Sequence, residues 1–129
     1  MLVIDASAMV QVLLRGAGAN AIEERLFSGE SLHAPHLLDL EVAQVLRRYQ
    51  LAGDLDDARG ELALDLHRDF AIQRYPHHLF LSRVWQLRRN ATAYDAVYLA
   101  LAEALGATLL TRDRRLAGVP GCVAEVEVV

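Results

Sequence analysis

Short apolar runs alternate with helix-length segments along this chain, and that alternation restricts its fold more than any other feature. Leu2–Asp5, Leu32–Pro35 and Thr108–Thr111 read as brief buried strands. Ala6–Arg15 carries Met9, Val10, Leu13 and Leu14 at helical spacing and is stopped by Gly16-Ala17-Gly18. Asn20 is placed to cap a second helix through Ser28. From His36, the positions Leu37, Leu40, Val42, Val45, Leu46 and Tyr49 mark a helix that Gly53 ends. Asp54 is the expected N-cap of the next helix, with Leu62, Leu66 and Phe70 as its apolar positions. A short strand at Ala71–Tyr75 precedes Pro76, and Leu79 to Arg88 reads as a helix. Thr92 caps another reaching Leu105 and ended by Gly106, and Cys122–Val129 supplies a last one or two strands. Strands separated by helices predict an α/β sandwich with a central, mostly parallel sheet. No linker, repeat or low-complexity stretch interrupts the pattern, so residues 1–129 are expected to form one domain.

Composition removes several chemistries. The 129 residues are 53% apolar and 23% charged, which suits a globular chain that can bury a core without disulfides. The formal net charge is −4, and all 13 basic residues are arginine, for the sequence contains no lysine. A P-loop and a Schiff-base enzyme both require that amine. A lone Cys122 permits neither an intrachain disulfide nor a CxxC pair. The five histidines show no HxxxH or HExxH spacing, so a zinc site is not expected. The first residues lack a basic leader and no charge-free run reaches ten residues, which points to a cytoplasmic protein with no membrane partner.

Four carboxylates stand out by position. Asp5 and Asp113 follow apolar strands directly, at the sheet edge where parallel α/β folds bind ligands. Each also precedes a helical turn and is suited to cap it. Asp95 is the one charge within Ala93–Ala102, a segment apolar on every other face. An arginine partner or the helix dipole would compensate it, and so would a bound cation. Glu41 shares a helix face with Leu37, Leu38 and Val45, while Asp39 can point away. Converging carboxylates repel one another. A hard divalent cation relieves that repulsion, and an all-oxygen donor set suits Mg²⁺ or Mn²⁺.

Val3-Ile4-Asp5-Ala6-Ser7, Leu40-Glu41-Val42, Tyr94-Asp95-Ala96-Val97-Tyr98-Leu99-Ala100-Leu101-Ala102 and Leu110-Thr111-Arg112-Asp113 together resemble the four motifs of PIN-domain nucleases. The likeness is greatest to the VapC toxins of bacterial toxin–antitoxin pairs, and it spans essentially the whole chain. The resemblance implies a PIN-like three-layer sandwich and an endoribonuclease dependent on Mg²⁺ or Mn²⁺. It makes Asp5 and Asp95 the principal metal ligands, with Glu41 and Asp113 completing the catalytic acidic set. Ser7 and Thr111 match the family's supporting hydroxyl positions. Some members carry a further acid after the fourth motif, where this chain has Arg114-Arg115-Leu116-Ala117-Gly118. The partners implied are an RNA substrate, a VapB-type antitoxin and a second copy of the chain in a homodimer.

Metal-assisted hydrolysis on this reading activates water to attack phosphorus, leaving a 5′-phosphate and a 3′-hydroxyl. Arg112, Arg114 and Arg115 flank Asp113 and are the expected phosphate contacts. Arg47-Arg48 and Arg88-Arg89 read as complements to helix C-terminal dipoles, and Trp85 as packing. Two other readings stay open at this point: a PIN-type nuclease of RNA processing, and a PIN-like interaction module without catalysis. A haloacid-dehalogenase-type phosphatase fails, since Asp5-Ala6-Ser7 supplies one carboxylate of the two required and no lysine exists.

Overall fold

Five strands, all parallel, pair in the order β3-β2-β1-β4-β5. They are β1 (Leu2–Ile4), β2 (Leu32–Pro35), β3 (Ile72–Tyr75), β4 (Thr108–Thr111) and β5 (Glu125–Val128). The computed structural model describes residues 1–129. The central strand β1 is wholly apolar because helices cover both of its faces, whereas the edge strands carry Gln73, Arg74, Glu125 and Glu127. The chain steps from β1 to β2 and β3 on one side, then returns to lay β4 and β5 on the other. Strand order therefore reverses between β1 and β4, and a crevice opens there at the strands' C-terminal ends. Ile4 pairs with Leu110, so the next residues, Asp5 and Thr111, arrive side by side at that crevice.

Six helices flank the sheet: α1 (Ala6–Leu14), α2 (Ala19–Leu26), α3 (Leu37–Leu51), α4 (Asp57–Asp69), α5 (Leu81–Gln86) and α6 (Ala93–Leu105). α6 lies against β1, β2 and β4 with α5 beside it, and α1 gathers α2, α3 and α4 around itself. Ala96 through Ala102 are all buried, which is why that helix has no polar face. The three-layer sandwich with a parallel sheet is thus the observed architecture. No helix is long and apolar enough to cross a membrane.

Several local expectations are corrected. Gly18, at φ 82°, precedes α2, and Asn20 lies inside the helix. The left-handed backbone there suits glycine, and a Cβ would also meet the Arg112 guanidinium. Asp56, not Asp54, caps α4, accepting from the Arg59 N–H at 2.8 Å. Leu79–Arg88 divides into a 3₁₀ turn at His77–Phe80 and the short α5. His77 Nε2 accepts the N–H of Leu37, so this turn caps α3 from forty residues away. The C-terminal segment forms one strand, Glu125–Val128, within the expected one or two.

The largest correction concerns α4, which buries Ala63 and His67 and leaves Leu62, 58% exposed, and Leu66 outside. A polar anchor decides the rotation. His67 Nε2 meets Asp39 Oδ1 at 2.7 Å, and the Arg74 guanidinium donates to both oxygens of Asp39. Asp39 consequently does not face solvent freely but joins α3, α4 and β3, and Arg74 holds its carboxyl below the usual range against the opposing effect of burial.

Candidate active site

Asp5 stands at the C-terminal end of β1 and is almost fully buried. Its Oδ1 accepts the Ala8 N–H at 3.0 Å and the Ser7 hydroxyl at 2.6 Å, and its Oδ2 accepts the Thr111 hydroxyl. One side chain therefore both caps α1 and faces the crevice. Burial raises its pKa and Asp113 adds to the rise, while the bonds from Ser7, Thr111 and Ala8 oppose it. The two hydroxyls are themselves braced. Ser7 Oγ accepts the Arg112 N–H at 2.9 Å, and Thr111 Oγ1 accepts the Asp113 N–H at 3.0 Å.

The other three acids come from three further elements. Asp95 sits in the first turn of α6, its N–H capped by Thr92 Oγ1 at 3.1 Å, so the helix dipole favours its charge. Glu41, on α3, accepts the hydroxyl of the buried Tyr98 at 2.6 Å. Burial raises the Glu41 pKa, Asp5 and Asp95 push it further, and the Tyr98 bond opposes them. Asp113 caps the 3₁₀ turn Arg114–Gly118, and the Arg115 side chain grips it, with Nη2 at 2.5 Å from Oδ2. That contact lowers its pKa.

All four carboxylates line one open cleft of about 360 Å³, with Ser7, Gln44, Arg48 and Tyr98 also in its wall. Four acids spread over 109 sequence positions thus meet at the point where strand order reverses. A model of the PIN domain matches residues 2–121. The chain belongs to the PIN-domain family.

Within that family the relatives are VapC proteins. Ribonuclease VapC1 of Mycobacterium tuberculosis is 46% identical over 129 residues, covering 98% of this chain and 96% of the relative. Ribonuclease VapC9 of the same species is 42% identical, covering 100% and 98%. Among solved structures, PAE2754 from Pyrobaculum aerophilum superposes with a TM-score of 0.72 at 24% identity, covering 98% of this chain and 83% of that one. A toxin–antitoxin complex from Klebsiella pneumoniae gives 0.63 at 18% identity, covering 99% and 97%. This PIN domain is accordingly of the VapC type.

The donor set of the PIN cleft is chemically uniform. Carboxylates and hydroxyls line it, and no imidazole or thiol does, which suits a hard divalent cation. Asp5 and Glu41 are both pushed upward in pKa by burial and by neighbouring acids, so the cluster carries repulsion that a cation would relieve. No three acids or histidines converge closely enough to hold an ion as they stand. Tyr98 holds Glu41 through Oε1 alone, which leaves Oε2 free toward a cation, whereas Arg115 engages both oxygens of Asp113.

Arg112, Arg114 and Arg115 stand beside the cleft, next to Asp113, rather than in its wall. Arg112 donates to the Ala17 carbonyl, Arg115 is held by Asp113, and Arg114 projects into solvent, because the chain curls into a 3₁₀ turn directly after Asp113. The cation in the wall is Arg48, from the pair assigned above to a helix end. Its signal was the seven-residue step from Glu41, two turns along one helix face. Tyr98, quoted above only as part of a motif, is a further residue of the site, and its signal is the three-residue step from Asp95 on α6. Trp85 is not packing: it is 68% exposed, with the Arg88 guanidinium 4.6 Å over its ring.

Proposed function

We propose that this chain is a Mg²⁺- or Mn²⁺-dependent endoribonuclease toxin, active in the cytoplasm as a homodimer and neutralised by a VapB-type antitoxin. The observation that carries this reading is the single cleft in which Asp5, Glu41, Asp95 and Asp113 meet. The ribonuclease names of its VapC relatives support the activity, and the toxin–antitoxin complex from Klebsiella pneumoniae supports the partner.

Asp5 and Asp95 would hold the cation, with Glu41 and Asp113 completing the set. A divalent cation there supplies charge neutralisation and lowers the pKa of water at the reacting phosphate. The chain's own contribution is orientation. Ser7, Thr111 and the Ala8 N–H fix both oxygens of Asp5, and Tyr98 fixes one oxygen of Glu41. Glu41, whose proton affinity is raised by burial, is the carboxylate suited to take the proton from the attacking water.

Incubating the purified protein with total RNA and Mg²⁺ or Mn²⁺, then mapping the new ends, tests this directly. Cleavage that stops with chelator and leaves 5′-phosphates is expected, and co-expression of a VapB-type antitoxin should suppress it. Products ending in a 2′,3′-cyclic phosphate would rule out attack by water.

A further inference from the structure

α3 contributes more to the cleft than Glu41. Gln44, Val45 and Arg48 follow Glu41 in the wall, at the three-, four- and seven-residue steps that share one helix face. Arg48 is the one cation among the lining residues, and its guanidinium is exposed and makes no hydrogen bond or ion pair. Arg112 and Arg115, which border the same crevice, are already engaged by Ala17 and Asp113.

Its freedom follows from helix geometry. Two turns separate Glu41 from Arg48, about 10.5 Å along the axis. Ion pairs on a helix form at three or four residues, so the acid cluster does not consume this guanidinium. The stripe therefore runs from a carboxylate, past the uncharged Gln44 and Val45, to a free planar fork. A polyanion laid along α3 with one linkage among the acids brings another of its phosphates to that fork. Guanidinium binds two phosphate oxygens at once, which fixes orientation as well as adding affinity.

We infer that Arg48 binds a non-scissile phosphate of the RNA strand and so sets the register in which the strand crosses the acidic cleft. This rests on the ribonuclease reading and adds the residue that positions its substrate. Phosphate contacts fix register, whereas base contacts carry sequence.

The test uses the full-length protein and a fluorescein-labelled single-stranded RNA of about twelve nucleotides containing a cleavage site mapped with the wild type. Arg48→Ala should raise KM about tenfold with kcat within twofold. Its log–log dependence of binding on salt should be shallower than that of the wild type by about 0.7, the value for one contact on a single strand. A series of RNAs each carrying one neutral methylphosphonate adds a positional readout. The wild type should be weakened at one non-scissile linkage, and Arg48→Ala should be indifferent there. Arg89→Ala, an exposed arginine away from the cleft, should keep the wild-type pattern.

Equal KM, equal salt slope and an unchanged methylphosphonate pattern in Arg48→Ala would overturn the assignment while leaving the nuclease intact. Failure of the wild type to cleave or bind any RNA would instead remove the ribonuclease reading, and this inference with it.

Discussion

The hydroxyl of Tyr98 on α6 donates to Glu41 Oε1 on α3 at 2.6 Å, joining two acid-bearing helices across 57 residues of sequence. Tyr98 is buried, so its hydroxyl has no water to replace this partner. Tyr98→Phe keeps the ring and removes the bond, and should cost about 1 kcal/mol of stability. Because it leaves Glu41 unoriented, cleavage should fall about 10- to 100-fold, the usual loss for a residue supporting a metal site. Activity within twofold of wild type would deny Tyr98 a positioning role.

Asp5 and Asp95 should separate when replaced. Asp95→Ala removes a half-exposed carboxylate with no side-chain partner, and should abolish cleavage with an unchanged melting curve. Asp5→Ala also removes an N-cap and the acceptor for two hydroxyls, so it should lose cleavage together with about 1 kcal/mol or more. Asp5→Asn, which can still cap, should recover much of the stability and none of the activity. Metal-dependent cleavage by the Asp95 and Asp5 variants would sink the site assignment.

Glu41 works against the metal-free fold at neutral pH. Its pKa is raised by burial first and then by Asp5 and Asp95. A carboxyl shifted upward on folding contributes stability below its unfolded pKa and loses it as pH rises through the folded value. Glu41→Gln removes the charge and keeps an acceptor for Tyr98. In chelator at pH 7 it should melt higher than wild type. Adding Mg²⁺ should stabilise the wild type more than the variant, since binding to the folded state alone raises its stability. A variant that melts lower in chelator would contradict this account.

Glu103 has the opposite sign. Arg83 donates to it at 2.7 and 2.9 Å and the Val123 N–H at 2.9 Å, tying α5, α6 and the approach to β5. The Arg83 bonds bring its pKa from the ordinary 4.5 down to about 2. Its contribution is therefore complete above pH 4.5 and is lost as pH falls from there towards 2. Glu103→Gln should cost about 2 kcal/mol at pH 7 and lessen the acid sensitivity of unfolding in that window. Parallel stability–pH curves for variant and wild type would show that the pair is idle.

The face of α4 can be checked by substitution. Leu62→Ala should change stability by about 0.5 kcal/mol or less, because the side chain is outside the monomer's core. Leu101→Ala, in the fully buried face of α6, should cost about 2–5 kcal/mol. Urea unfolding of the two variants decides the matter, and comparable losses would restore the apolar face read from the sequence.

Local chemistry made much of this protein legible in the chain itself. β2 and β4 begin and end where their apolar runs do, and Thr92 and Gly106 bound α6 as cap and stop. The four acids were visible because each is a costly residue in an apolar setting, and such positions need compensation. Periodicity also conveyed that the middle of α6 is buried, since Ala96–Ala102 offers no polar side. What it could not convey was which side of a mixed helix faces inward. In α4 the choice went to Ala63 and His67 because Asp39 and Arg74, distant in sequence, supply a partner that no leucine can use. The same limit concealed the bond from Tyr98 to Glu41 and the place of Arg48 in the cleft wall. Residue types and spacings determined the elements and named the acids. Only the tertiary structure decided their partners, because a hydrogen bond between side chains 57 residues apart exists only once the sheet order has brought their helices together.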